Sequence, residues 1–271
     1  MIKNSTYQPI GIFDSGVGGL GVTWAIASLL PHENLVYLAD NKSFPFGPKT
    51  EEQLHVICER SIAYLIERHH VKIVVVACNT ATVSSLAYVR SKFSIPFVGV
   101  VPVVKPACEQ TKTGCVAILS TPGTAGSAYI QDLIEKFGQG SQVLSISCPG
   151  LADMVEKGLV GTAEMEIYLQ SILGPLLEKH IDVIGLSCTH YPFLRDQIQA
   201  IVGPGVTILD SNVPVARQVK RVLETMPDGL AIERRTPSYH FYVTKEPEKF
   251  KSIAQQLVGD ALVQDVELVV L

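Results

Sequence analysis

The chain has 271 residues, of which 47% are apolar and 18% charged, and its formal net charge is −4. That length holds one large or two modest domains with ample core, and the composition excludes a disordered chain. The weak negative charge leaves no electrostatic footprint for nucleic acid or an anionic membrane surface.

The opening MIKNSTYQPIGIF lacks the charged-then-apolar pattern of a secretory signal. No apolar stretch reaches the ~18 residues that crossing a membrane requires. Six cysteines without tight spacing, and without an export signal, read as reduced thiols in a cytoplasm.

In chain order, short β-like runs are expected at Pro9–Phe13, Leu35–Ala39, Lys72–Ala77 and Pro96–Val100, then at Cys115–Leu119, Gln142–Ile146, Asp182–Leu186 and Val206–Leu209. Helix-like stretches separate them. In Glu51–His69, for example, Leu54, Ile57, Ile62, Leu65 and Ile66 recur at helical spacing. The tail adds two strand candidates, HFYVTKEP and VELVVL. Strand and helix in alternation predict an α/β fold with parallel sheets covered on both faces.

Two pairs of segments look like copies of one another. IVVVACNTAT (Ile73–Thr82) matches DVIGLSCTHY (Asp182–Tyr191), each an apolar run ending in one cysteine and a small polar pair. IGIFDSGVGG (Ile10–Gly19) matches VAILSTPGTAG (Val116–Gly126), so that Asp14 and Ser15 fall where Ser120 and Thr121 fall. The repeats predict two similar α/β domains, residues 1–101 with 214–271 and residues 102–213. Ligands of open α/β sheets bind beyond the carboxyl ends of the strands, where Asp14, Asp40, Cys78, Thr121 and Cys188 are expected. Two thiols, one per half, can then face opposite sides of one cleft, an arrangement suited to removing a proton from one face of a carbon and adding one to the other.

Each motif has a plainer rival. Free cysteine is commonly a small buried hydrophobe, which suits Cys58, Cys108, Cys115 and Cys148. Cys78 and Cys188 differ in standing at strand ends, where the amides of a following helix would favour a thiolate. Cys78, Cys188 and His190 could supply three metal ligands, but no CxxC or HxxxH spacing supports a metal site. A disulfide between the pair runs against a reducing compartment. GVGGLG (Gly16–Gly21) satisfies G-x-G-x-x-G, with Asp40 near the place of a ribose-binding acid. Against a dinucleotide stands Asp14, two residues before the first glycine, whose carboxylate would lie close to a pyrophosphate. The loop at Pro45-Phe46-Gly47 could present a backbone amide to an anion while Phe46 closes the cleft. His190, just beyond Cys188, could assist proton transfer or simply be a structural histidine. Glu156, in DMVEKG, reads alone as a solvated helix residue.

FDSGVGG (Phe13–Gly19), PFG (Pro45–Gly47), ACNTAT (Ala77–Thr82) and SCTHYP (Ser187–Pro192) together resemble the aspartate/glutamate racemase family, and within it the cofactor-independent glutamate racemases. The resemblance spans nearly the whole chain in order and spacing. It implies two pseudosymmetric domains with the site in the cleft between them, a homodimer, and interconversion of L- and D-glutamate without metal or other cofactor. By the same resemblance, Cys78 and Cys188 are the two acid/base residues. Asp14, Ser15, Phe46, Gly47, Asn79, Thr80, Thr121, Thr189 and His190 bind substrate, while Asp14, Glu156 and His190 support the thiols. The product, D-glutamate, would feed peptidoglycan synthesis. Two positions depart from the family pattern, with Phe46 where tyrosine is usual and Ser187 where glycine is usual. An aspartate racemase, another two-cysteine isomerase, or a non-catalytic amino-acid-binding regulatory protein are the alternative readings.

Overall fold

The structure, a computed structural model, describes residues 7–227, 229–231 and 236–271. It divides into two compact units, one formed by Met1–Val100 with Asn212–Leu271 and the other by Val101–Ser211.

The first unit begins with β1 (Ile10–Asp14), α1 (Leu20–Leu29), β2 (Leu35–Ala39), α2 (Glu51–His69), β3 (Ile73–Val76), α3 (Asn79–Lys92) and β4 (Phe97–Gly99). Every residue of β1, β2 and β3 is buried, which is why these segments read as continuous apolar runs and not as alternating ones. The periodic stretch Glu51–His69 is helix α2. The Thr50 hydroxyl accepts from the Gln53 amide, the Gln53 side chain returns to the Thr50 amide, and Glu51 and Glu52 occupy the first turn. His70 ends the helix with φ of 50°. Leu54, Cys58, Ile62 and Leu65 face the core.

The second unit runs through α4 (Val104–Gln110), β5 (Cys115–Ser120), α5 (Pro122–Ala125), α6 (Ala128–Phe137), β6 (Gln142–Ser147), α7 (Leu151–Glu156), α8 (Ala163–Leu177), β7 (Val183–Ser187), α9 (Arg195–Val202) and β8 (Thr207–Leu209). The chain then returns to the first unit with α10 (Asn212–Glu224), β9 (Tyr239–Val243), α11 (Pro247–Val258) and β10 (Val266–Leu268). The first sheet has the order β10-β9-β2-β1-β3-β4 and the second the order β6-β5-β7-β8, with every pairing parallel.

The internal repeat is visible in strand register. β1 lies between β2 and β3 with Phe13 opposite Val76, and β5 lies between β6 and β7 with Leu119 opposite Leu186. Both cysteines therefore follow the same register point by two residues, each on the strand beside the central one. The tail strands β9 and β10 extend only the first sheet, beyond β2.

Two glycines of GVGGLG are required by packing. A side chain at Gly19 would meet the Asp14 Cβ and the Tyr37 hydroxyl at 2.9 Å, and one at Gly21 would meet the Asn212 amide of α10 at 2.7 Å. Both glycines thus let α1 settle against β1, β2 and α10.

Candidate active site

In the first unit, the ends of β1 and β3 lie side by side and bring Asp14 and Ser15 next to Cys78. The Asp14 carboxylate is fully buried and accepts from the Gly16 amide at 2.8 Å and from the Ser15 hydroxyl at 3.4 Å. The same Ser15 hydroxyl lies 3.9 Å from the Cys78 sulfur. With its hydrogen given to Asp14, that hydroxyl can accept from the thiol, so carboxylate, hydroxyl and thiol form a chain. The loop that carries them is fastened by the Tyr37 hydroxyl, which donates to the Gly16 carbonyl at 2.6 Å. Tyr37 gives no sign of this role in the sequence, where it reads as a core aromatic.

The Gly16 amide, the donor a dinucleotide phosphate would need, already serves Asp14. With the Gly16 amide taken and Gly21 explained by packing, two of the three fingerprint glycines have roles other than cradling a phosphate.

Cys78 is the N-cap residue of α3, extended at φ −119° and ψ 124°, with its sulfur mostly buried. The amides of the first helical turn follow directly, and the positive end of the helix dipole favours a thiolate there. Asn79 donates to the Val100 carbonyl at 3.3 Å, while its own Oδ1 is buried without a partner among the described residues. Thr80 is buried beside it. The Phe46 ring lies 2% exposed in the core, 6.2 Å from the Phe13 ring. The reading that Phe46 closes a cleft finds no exposed ring, and what this loop can offer a ligand is backbone at the half-buried Gly47.

In the second unit, β7 ends at Ser187, and Cys188 follows it, mostly buried. The expectation of a helix starting at once is corrected here. Cys188, Thr189 and His190 form a turn that leads into a 3-10 helix at Tyr191–Leu194, and only then into α9. Pro192 in the first turn suits that tight start. Without adjacent helix amides, this sulfur has a different support: His190 Nδ1 lies 3.7 Å from it, and His190 Nε2 lies 2.7 Å from the Glu156 carboxylate at the end of α7.

His190 is buried, which opposes its charge, but the hydrogen bonds to Cys188 and Glu156 outweigh burial and hold its imidazole well above the ordinary value. A protonated ring donates from both nitrogens, one to each neighbour. Glu156, unremarkable in the sequence, is thus the carboxylate that orients this histidine. Its signal is tertiary, since α7 and the Cys188 turn meet only after folding. Thr121 caps α5 by accepting from the Thr124 amide, just beyond Ser120, which pairs with Ser187. Thr189 is buried between Cys188 and His190.

Ser187, the departure from the family pattern, also has a role. Its buried hydroxyl accepts from the Val103 amide at 3.1 Å.

The remaining thiols fare differently. Burial pushes Cys58 up to about 12, and burial with the nearby Cys188 charge does the same to Cys148. Burial also raises Cys108. These thiols stay protonated and unreactive near neutrality. Among the described residues no group of three or more His, Cys, Asp or Glu could hold a metal ion, and no helix is long and apolar enough to cross a membrane.

Comparison with known proteins points to one family. The sequence profile described as Asp/Glu/Hydantoin racemase matches residues 21–219. The chain is 41% identical over 250 residues to a glutamate racemase of Herpetosiphon aurantiacus, covering 92% of this chain and 98% of that one. It is similar to the solved glutamate racemase of Bacillus anthracis, with a TM-score of 0.86, 32% identity and 98% of each chain covered. It is also similar to the Escherichia coli glutamate racemase solved in complex with L-glutamate and the activator UDP-MurNAc-ala, with a TM-score of 0.84, 31% identity, and 97% and 98% of the two chains covered.

Proposed function

Because the chain belongs to the Asp/Glu/hydantoin racemase family, we propose that it interconverts L- and D-glutamate by two-base chemistry, with Cys78 and Cys188 as the bases. One observation carries this reading. Two repeated half-sites each end in a thiol linked to a buried or half-buried carboxylate, through Ser15 in one and through His190 in the other. Ligand binding alone needs neither thiol.

The α-hydrogen of an amino acid is a very weak acid, so removal requires a positioned base and stabilisation of the charge left behind. One thiolate takes the proton while the opposite thiol delivers one to the other face, and the roles exchange with direction. Cys188 serves L-glutamate and Cys78 serves D-glutamate. Ser15, Asn79, Thr80, Thr121 and Thr189, with the Gly47 backbone, hold the substrate's amino and carboxylate groups, and Asn79 Oδ1 offers an unclaimed acceptor. Exclusion of water from the bound substrate strengthens each of these contacts. The chain works without an added cofactor, in the cytoplasm and as a homodimer, and its D-glutamate feeds peptidoglycan synthesis.

The test is circular dichroism and proton NMR of the reduced protein with L-glutamate in D₂O. Loss of optical activity with deuterium entering both enantiomers, without added cofactor, is the expected result. No rotation change and no exchange with glutamate, but both with aspartate, would overturn the substrate assignment.

A further inference from the structure

The first unit holds a cavity of about 710 Å³ that the proposed chemistry does not use. This volume falls within the roughly 300–1,000 Å³ of small-molecule sites. It lies at the carboxyl ends of β2 and β9, between the start of α2 and the last residues of the chain.

Its lining is divided in character. Val56, Ile57, Val269 and Val270 supply an apolar side, and Val56 and Val270 are 66% and 90% exposed. Lys42, Lys49 and Arg60 supply positive charge. The two acidic side chains in the wall are already engaged. Asp40 is fully buried and holds the Arg60 guanidinium and the Thr244 hydroxyl, each at 2.8 Å. The Glu52 carboxyl lies below its usual range because it bonds its own amide and the Thr50 hydroxyl at the start of α2. Lys42 and Lys49 make no ion pair among the described residues. Two uncommitted cations beside an uncovered apolar wall match an anion that carries an apolar body.

The position of the two lysines adds a consequence. They flank Phe46 and Gly47 on the segment 41–49, which follows Asp40 and is tied on one side to Thr244 and Lys245. On the other side, the Asp40 amide just before the segment donates to the Asp14 carbonyl at 3.0 Å, and the segment's own Phe46 ring lies 6.2 Å from Phe13, the neighbour of Asp14. We propose that this cavity binds an amphipathic anion, a phosphate or carboxylate on a short apolar chain, and that its occupation tunes glutamate affinity through segment 41–49. The tuning rests on the racemase reading, whereas the binding does not.

The experiment is titration calorimetry of the full chain with octyl phosphate, octanoate and inorganic phosphate, each below any micellar concentration. Octyl phosphate or octanoate is expected to bind at one site per chain, and whichever binds tighter identifies the headgroup. Inorganic phosphate should bind at least about tenfold more weakly. Lys42→Glu/Lys49→Glu and, separately, Val56→Asp should each weaken the tighter ligand by about tenfold or more. Lys42 and Val56 are solvent-exposed, so these chains should fold. No heat from either amphiphile, or unchanged binding in both variants, would overturn the site. Equal binding of inorganic phosphate would overturn the apolar half of the assignment. At saturation the KM for D-glutamate should shift by about fivefold, the low end of common coupling between sites, and an unchanged KM would overturn the tuning. A chain that binds octyl phosphate but does not racemise glutamate would retain this site and lose the proposed function.

Discussion

Replacing Glu156 by Gln changes one charge and little volume, and it tests the link from carboxylate through imidazole to sulfur. The carboxylate lies 2.7 Å from His190 Nε2, within a mostly buried pair. A hydrogen bond to a charged partner contributes about 1.5–3 kcal/mol and a neutral one about 0.5–1.5 kcal/mol, so the variant forfeits about 1–2 kcal/mol of support for the imidazolium. If that support reaches the transition state through Cys188, kcat/KM falls by about 5- to 30-fold. The two enantiomers have equal free energy, so the equilibrium constant is one and kcat/KM must fall equally from either side. An effect confined to one direction can appear only in kcat and KM separately. In Glu156→Gln the His190 value drops toward the ordinary one, so the imidazolium is lost at lower pH and the descending limb of the kcat/KM profile moves to lower pH. The assay is circular dichroism of both enantiomers from about pH 6 to 10, beside an NMR titration of the His190 ring. A kcat/KM within about twofold of the parent chain, with its descending limb unmoved, would refute the linkage.

The same raised imidazole makes a stability prediction. A histidine whose folded value lies above its unfolded value stabilises fully below the unfolded value, near 6.5, and loses that contribution as pH rises through the folded value. Urea denaturation should therefore show Glu156→Gln losing most, relative to the parent chain, at low pH, with the gap closing at alkaline pH; a pH-independent gap would count against it. Cys78→Ser should abolish racemisation yet allow deuterium from D₂O to enter L-glutamate, since one base can remove and return a proton on a single face, and retained racemisation would sink the two-base assignment. Ser187→Gly leaves the buried Val103 amide without its acceptor and should cost about 1–3 kcal/mol in urea denaturation, whereas a neutral result would show that amide finding another partner. Lys72 and Glu33 form a pair at 2.6 Å, only 1% and 3% exposed, and Glu33 also accepts from the Ala231 amide. Lys72→Met should cost about 3–5 kcal/mol by stranding a buried charge, and Lys72→Met/Glu33→Gln should recover part of that; a double variant no better than the single would contradict the charge as the cause.

Most of the sheet is legible in the sequence because parallel strands buried on both faces are apolar along their length, as β2 and β3 are throughout and β1, β5 and β7 are up to Asp14, Ser120 and Ser187. Both cysteines are legible for a related reason, since a reactive group at the end of such a strand interrupts the apolar run at a predictable place. The support around each sulfur is harder to read. Gly16, Ser15 and Asp14 are neighbours in sequence, so their contacts are local. Glu156 reaches His190 across 34 residues and depends on where α7 packs, which no local pattern encodes. The turn after Cys188 escapes a local reading because Thr189-His190 matches Asn79-Thr80 in type, while Pro192 directs the chain into a 3-10 helix before α9. Segment 41–49 is hard to read for another reason, because the Phe46 ring packs in the core beside Phe13, a tertiary contact that no local pattern encodes.

The two sulfurs are therefore equivalent in strand register and unlike in electrostatics. Cys78 caps a helix, and the field it feels comes from fixed peptide dipoles that do not titrate. Cys188 lacks that cap and depends on an imidazole whose charge is itself pH-dependent. Equal free energies of the enantiomers forbid this difference from appearing in kcat/KM, which must be the same from both sides at every pH. It must appear in how binding and turnover divide that ratio. The step that begins with Cys188 as base should show a kcat that follows the state of His190, whereas the step that begins with Cys78 should be flatter over the same range. A repeated fold thus supplies two bases at matching positions, and the local chain around each determines how it responds to pH.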